Sequence, residues 1–259
     1  MELNNPAARL LNILELGKEI EVDTSCRAAW CTLLGVEPAD RALFLVRISK
    51  VMGLTSEIYD SLKKIPNVNP VIYLNWAPFV ENALFKSDMD GQWNSFIRHI
   101  NEHVFSYLTM TSDFLSHKNP EPVIPKSNLD SIHESSIELT TLIIESKLPA
   151  DLKHFMIDHL NKISGAIDDY KFSGSSKIVE AVNGAFGQAL LDKRIAQNDI
   201  DPETTSKFWG FMGKLALVVT VAAGAHQLAP AVYQLLPDLN TIEHGEYETS
   251  SPIPETLNA

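Results

Sequence analysis

Trp93-Asn-Ser-Phe-Ile-Arg-His-Ile-Asn-Glu-His-Val-Phe-Ser-Tyr-Leu-Thr-Met-Thr-Ser-Asp-Phe-Leu115 is the stretch on which the fold class turns. Placed on a wheel at roughly 100° per residue, Trp93, Phe96, Ile97, Ile100, Val104, Tyr107, Leu108, Met110, Phe114 and Leu115 fall on one broad apolar arc. The spacing predicts a single long helix over Met89 to Ser116, ending at His117. On that wheel His103 lies inside the arc near its edge, His99 just outside it, and Glu102 on the polar side.

The same three-and-four spacing recurs along most of the chain, and strand-like alternation is absent over any useful length. An all-α bundle of about nine helices follows from this spacing and its punctuation. Asn5-Pro6 opens a first helix that Gly17 closes, and Thr24 or Ser25 opens a second that ends at Gly35. A third runs to Gly53, with a short fourth from Thr55; Pro66 and Pro70 then break the chain. Another helical stretch covers Val71 to Phe85, with Pro78 either kinking it or starting its second half.

Lys118-Asn-Pro-Glu-Pro-Val-Ile-Pro-Lys126 holds three prolines and little periodicity, and marks a boundary. The expected organisation is an N-terminal helical lobe over 1–117, a linker over 118–126 and a second helical lobe over 127–200. An apolar C-terminal helix over 201–237 and a disordered acidic tail over 238–259 complete it. In the second lobe, Ser127 and Asp130 stand at capping spacing, Pro149 starts a helix to about Asp169, and Ser173 starts another. Asp201-Pro202 opens the last. The tail carries Asp238, Glu243, Glu246, Glu248 and Glu255 with no Lys or Arg.

Composition narrows the function classes. The chain of 259 residues is 45% hydrophobic and 21% charged, an ordinary globular balance. Its formal charge of −12 argues against nucleic-acid binding and against peripheral adhesion to anionic lipid. Cys26 and Cys31 are the only cysteines, so neither a disulfide scaffold nor a cysteine zinc site is expected. The start lacks a basic n-region followed by an apolar core, which predicts a cytoplasmic body rather than a secreted protein.

His99-Ile-Asn-Glu-His103 resembles the H-x-x-E-H peptidases in those five residues alone. The resemblance implies zinc on His99 and His103 with Glu102 as the base that activates water, on a large mixed α/β fold. Two histidines four apart on one helical face suit zinc, but a catalytic site also needs a third ligand, for which Glu180 is the candidate. The absence of strands weighs for histidines at a helix-packing edge instead, and against an enzyme. Phe172-Ser-Gly-Ser-Ser-Lys177 lacks the phosphate-loop pattern and reads as a helix cap, while Asp168-Asp169 reads as a solvated pair at a helix end.

The functional weight falls on Leu215 to Pro237, 23 residues without a formal charge. About 20 helical residues span a 30 Å hydrocarbon layer. Trp209 stands before the segment and Tyr233 near its end, where interfacial aromatics belong, and Leu215, Val218, Val219, Val221 and Gly224 mark the face expected to contact membrane or another copy. Lys207 and Lys214 precede it, which favours an N-terminal body in the cytoplasm, anchored to the inner or plasma membrane. His226, Gln227 and Pro230 interrupt the run and favour a helix buried in protein or at an oligomer interface. The reading is a non-enzymatic helical interaction protein, effector- or regulator-like, whose C-terminal helix inserts in membrane or drives self-association. The alternatives are the zinc hydrolase and a soluble adaptor or inhibitor whose acidic tail engages a basic partner.

Overall fold

The computed structural model describes residues 4–121, 123–191 and 200–223. Among them the chain is all-helical, with twelve helices and a single isolated β-bridge between Ser25 and Gln92. The first seven are α1 (Pro6–Lys18), α2 (Cys26–Leu34), α3 (Arg41–Lys63), α4 (Pro70–Tyr73), α5 (Ala77–Lys86), α6 (Asn94–Ile97) and α7 (Glu102–Lys118). The remaining five are α8 (Lys126–Glu145), α9 (Ala150–Asp168), α10 (Tyr170–Ser173), α11 (Ser176–Leu191) and α12 (Pro202–Ala223).

Local chemistry accounts for several of the boundaries. Asn5 accepts a hydrogen bond from the Ala8 N–H at 3.0 Å, and Pro6 sits where its missing donor costs nothing. Gly35 ends α2 at φ +61°, a conformation that excludes most side chains. Asp201 caps α12 by accepting from the Thr204 N–H at 3.1 Å. Pro78 occupies the first turn of α5, so Val71 to Phe85 divides into α4 and α5 instead of bending.

Four boundaries differ from the sequence expectation; one is at Ser173, which ends α10, so that α11 starts at Ser176 beyond the turn at Gly174. α3 runs unbroken through Gly53, beside which a Cβ would meet nothing within 4 Å, so this glycine neither ends the helix nor makes room for a neighbour. α8 starts at Lys126 behind Pro125, and no side chain caps it; Ser127 lies inside the helix. The long helix expected over Met89 to Ser116 is two helices, α6 and α7, because Asn101 turns the chain and caps α7 through the Val104 N–H at 3.2 Å.

Two hydrophobic clusters form the interior. The first gathers α1 to α7 around Trp30, Trp93 and Phe96. Trp30 meets Trp93 edge-on with centroids 5.3 Å apart, and Trp93 stacks on Phe96 at 4.8 Å. The Trp93 indole N–H donates to the Gly17 carbonyl at 2.8 Å, and a Cβ on Gly17 would come within 3.1 Å of the same ring. Gly17 is therefore a close-approach position inside α1, and the helix continues one residue beyond it. Cys26 and Cys31 are buried here as free thiols.

The second cluster packs α8, α9, α11 and α12 around Ile143, Met156, Leu160, Ile163, Val182 and Phe208. Its few polar links are internal. Ser136 and Ser164 join α8 to α9 at 3.1 Å, and the His159 Nε2 donates to the Gln188 Oε1 at 3.1 Å.

A polar seam joins the clusters. Asp169 accepts from the Arg47 Nε at 2.8 Å and pairs with Lys50 through its other oxygen. Arg47 also donates to the Leu34 and Gly35 carbonyls, at 3.1 and 2.8 Å. Phe172 on α10 completes the first cluster rather than the second, with the Lys171 ammonium 4.9 Å above its ring. Asp169, expected as a solvated acid, is thus an interior anchor.

Candidate functional site

The five residues of the zinc pattern are dispersed by the break before α7. His99 lies in the turn between α6 and α7, half-buried, with an Nε2 that has no hydrogen-bond partner. Glu102 is the first residue of α7 and pairs with Lys18 at 2.7 Å in solvent; that hydrogen bond is the main reason the lysine is held above its ordinary range. His103 is exposed and tilts against Phe79 and Tyr107, with centroids 5.3 and 4.4 Å away. The burial order expected of the two histidines is therefore reversed, because a helix that restarts at Glu102 no longer carries His99 on the face of His103. Glu180, the candidate third ligand, pairs with Lys177 on α11. Among the described residues no three His, Cys, Asp or Glu side chains gather as a metal site.

The apolar C-terminal segment is described as far as Ala223. α12 buries Phe208, Trp209, Met212, Leu215, Ala216 and Val219, spaced as one helical face, in the second cluster. Val218 packs partly against it. Trp209 touches Phe186 and Phe208 at 5.3 and 5.1 Å, so this indole fills a protein interior rather than a helix end. Val221 lies on the described backbone of α12; Gly224, Tyr233, the rest of the segment and the acidic tail lie outside the described residues. No helix among the described residues is long and apolar enough to cross a membrane.

Among the described residues, three surface cavities bear on function. One of about 600 Å³ runs between α8 and α12. Leu139, Leu142 and Phe211 give it an apolar floor, Gly210 leaves it open, and Glu138, Lys207 and Lys214 stand at its rim. One of about 380 Å³ lies at the seam beside Lys50, Asp169, Lys162 and Lys177. Each of those lysines faces a carboxylate: Asp169, Asp158 and Glu180 respectively.

The third, of about 500 Å³, lies where α1 meets the start of α8 and α10. Arg9 is fixed beside it by three acceptors: Glu57 at 2.9 Å, Glu121 at 3.0 Å and the Asn4 carbonyl at 2.6 Å. Burial pushes the Glu121 carboxyl above its ordinary range, and the Arg9 charge only partly offsets that. Gly174, at φ +62°, lets the chain pass over this guanidinium; a Cβ there would stand 2.3 Å from the Arg9 Nη1.

Sequence reasoning did not single out Arg9, Arg47 or Ser112 and read Asp169 as solvated, because their partners are distant in sequence and leave no local pattern. Comparison with models of known families, with curated proteins and with solved structures gave no match for this chain.

Proposed function

We infer that this chain is a non-enzymatic helical interaction protein that self-associates through α12 and its apolar continuation. One observation carries the reading: the buried face of α12 runs from Phe208 to Val219, and the charge-free sequence begun at Leu215 continues to Pro237. A helix whose first turns are seated in protein extends more readily against protein than into lipid, where His226 and Gln227 would need partners. The open groove between α8 and α12 lies along the same helix and offers apolar floor beside it. The zinc reading gains no support from the separated histidines, and the tail-binding reading gains none from the described residues.

Light scattering on the full chain after size exclusion tests the proposal, together with flotation on phosphatidylcholine–phosphatidylglycerol vesicles. The wild type elutes as a dimer or larger species and stays with the unbound fraction. A Leu228→Asp/Leu235→Asp variant elutes as a monomer with unchanged helicity. A wild type that is monomeric at all concentrations, or one that floats with the vesicles while the variant does not, overturns it.

A further inference from the structure

α8 and α12 pack side by side, and between their outer faces runs the open groove of about 600 Å³. Its walls carry small residues, Ser135 on α8 and Ser206 and Gly210 on α12. Gly210 is exposed, and a Cβ on it would meet nothing within 4 Å. The floor is apolar: Leu139 is buried, while Leu142 and Phe211 are only half-buried and reach the opening. Beyond Lys214 the spacing of the same flank continues through Leu217 and Val218, both half-buried. Apolar surface of this kind, rimmed by polar residues, gains free energy from any apolar segment that takes it out of water.

The rim and the length of the chain select the occupant. Lys207 and Lys214 stand on the α12 side and Glu138 on the α8 side. Lys207 reaches Glu203 on its own helix at 2.7 Å, and Lys214 has no ion pair among the described residues. A matching segment is apolar, at least as long as the groove, and followed by acids. This chain carries one: Gly224 to Pro237 is 14 residues without a formal charge, and Asp238, Glu243 and Glu246 come next, with no Lys or Arg after them. Even in the compact form of a helix, 14 residues reach about 21 Å, against about 12 Å along α12 from Ser206 to Lys214. The segment's own copy is poorly placed to receive it. α12 runs from Lys214 to Ala223, carrying the chain about 14 Å past the groove and away from it.

We propose that the groove between α8 and α12 receives residues 224–237 of a second copy, with the acids that follow beside Lys207 and Lys214. The proposal rests on the self-association reading and adds the surface that the segment meets. The apolar residues cover Leu139, Leu142 and Phe211, and the missing side chain of Gly210 lets the incoming backbone approach. Each copy gives a segment and receives one, so the contact closes as a two-fold dimer and leaves no unfilled groove.

Two full-length variants test it, one spoiling each half of the contact. Gly210→Trp fills the groove at an exposed position with room for a side chain, so helicity by circular dichroism is unchanged. Leu228→Asp/Leu235→Asp spoils the segment and leaves the groove intact. Each variant alone is monomeric by light scattering at a concentration where the wild type is a dimer. An equimolar mixture of the two forms a heterodimer, seen by native mass spectrometry, because one intact groove then meets one intact segment. Lys207→Glu/Lys214→Glu, at exposed positions, weakens dimerisation about tenfold, and added salt narrows the difference. A Gly210→Trp dimer as tight as the wild type, with Leu228→Asp/Leu235→Asp monomeric, overturns the groove and leaves the self-association reading standing. A monomeric wild type removes both; if Gly210→Trp then exposes residues 224–259 to protease, the occupant is the chain's own segment. A mixture without heterodimer, or unchanged association in Lys207→Glu/Lys214→Glu, overturns the proposal as well.

Discussion

The two hydrophobic clusters solve the same problem with different means. The first sets mostly short helices around the 23-residue α3, and side chains close several of their starts: Asn5, Asp40, Asn69 and Asn101 each accept a hydrogen bond from the backbone of the helix they start. Its centre is three wholly buried indoles, Trp30, Trp76 and Trp93. In the second, α8 and α9 begin behind Pro125 and Pro149 with no side-chain cap, and the interior is chiefly aliphatic. Long helices that bury a full stripe depend little on their ends, because packing supplies most of their stability. Short helices bury less per end, so capping and large rings decide whether they form.

The sharpest way to break this contrast is Trp93→Ala, which removes the ring between Trp30 and Phe96 and takes the indole donor away from the Gly17 carbonyl. It is expected to cost about 4 kcal/mol, read by urea denaturation with circular dichroism. The first cluster should unfold ahead of the second, and one unshifted transition would show that the rings are not its centre.

Asp169→Asn attacks the seam instead. It leaves Arg47 and Lys50 without their shared carboxylate in a site where Arg47 and Asp169 side chains are only 11% and 13% exposed. The expected loss is about 3 kcal/mol, and adding Arg47→Met should recover part of it. Additive losses in the double variant would mean that the pair is not coupled.

The pH response separates the second cluster from the Arg9 site, where Glu121 lies. Burial holds His159 below its ordinary value near 6.5, so the unfolded chain takes up this proton before the folded one does. Stability contributed by neutral His159 is present above that value and is lost as pH falls below it toward the folded value. Glu121 is raised, so its contribution is present at acid pH and fades as pH rises through its folded value. Melting midpoints between pH 7 and pH 5 should fall less steeply in His159→Gln than in wild type. Parallel curves would remove His159 from the account.

Asn101→Ala is the mildest test. It deletes the acceptor that starts α7 and should cost about 1 kcal/mol, measured by thermal denaturation. A loss no larger than that of an exposed surface change would mean that packing alone sets the break after α6.

Much of this was legible in advance, and the reason is local. Asn5-Pro6, Gly35, Pro149 and Asp201-Pro202 act through their own backbone geometry, so the helix boundaries they set follow from a few adjacent residues. The break at Asn101 was hidden because Ile97, Ile100 and Val104 keep helical spacing across the turn. The available signal was Asn101 itself, a cap residue followed by an acid in the next position. Gly17 and Gly53 show the converse: one glycine accommodates a distant indole, the other faces open space, and the same residue type carried both.

By itself the sequence determined the helical class, the main turns and the charge-free C-terminal segment, because periodicity, proline, glycine and charge act over a few neighbouring residues. Only the tertiary structure decided that Asp169 is an anchor, that His99 and His103 part company, and that Arg9 and Ser112 share a cavity. Those outcomes join side chains as far apart as Arg47 and Asp169, 122 residues distant, and no local pattern encodes which distant partner a buried charge will meet.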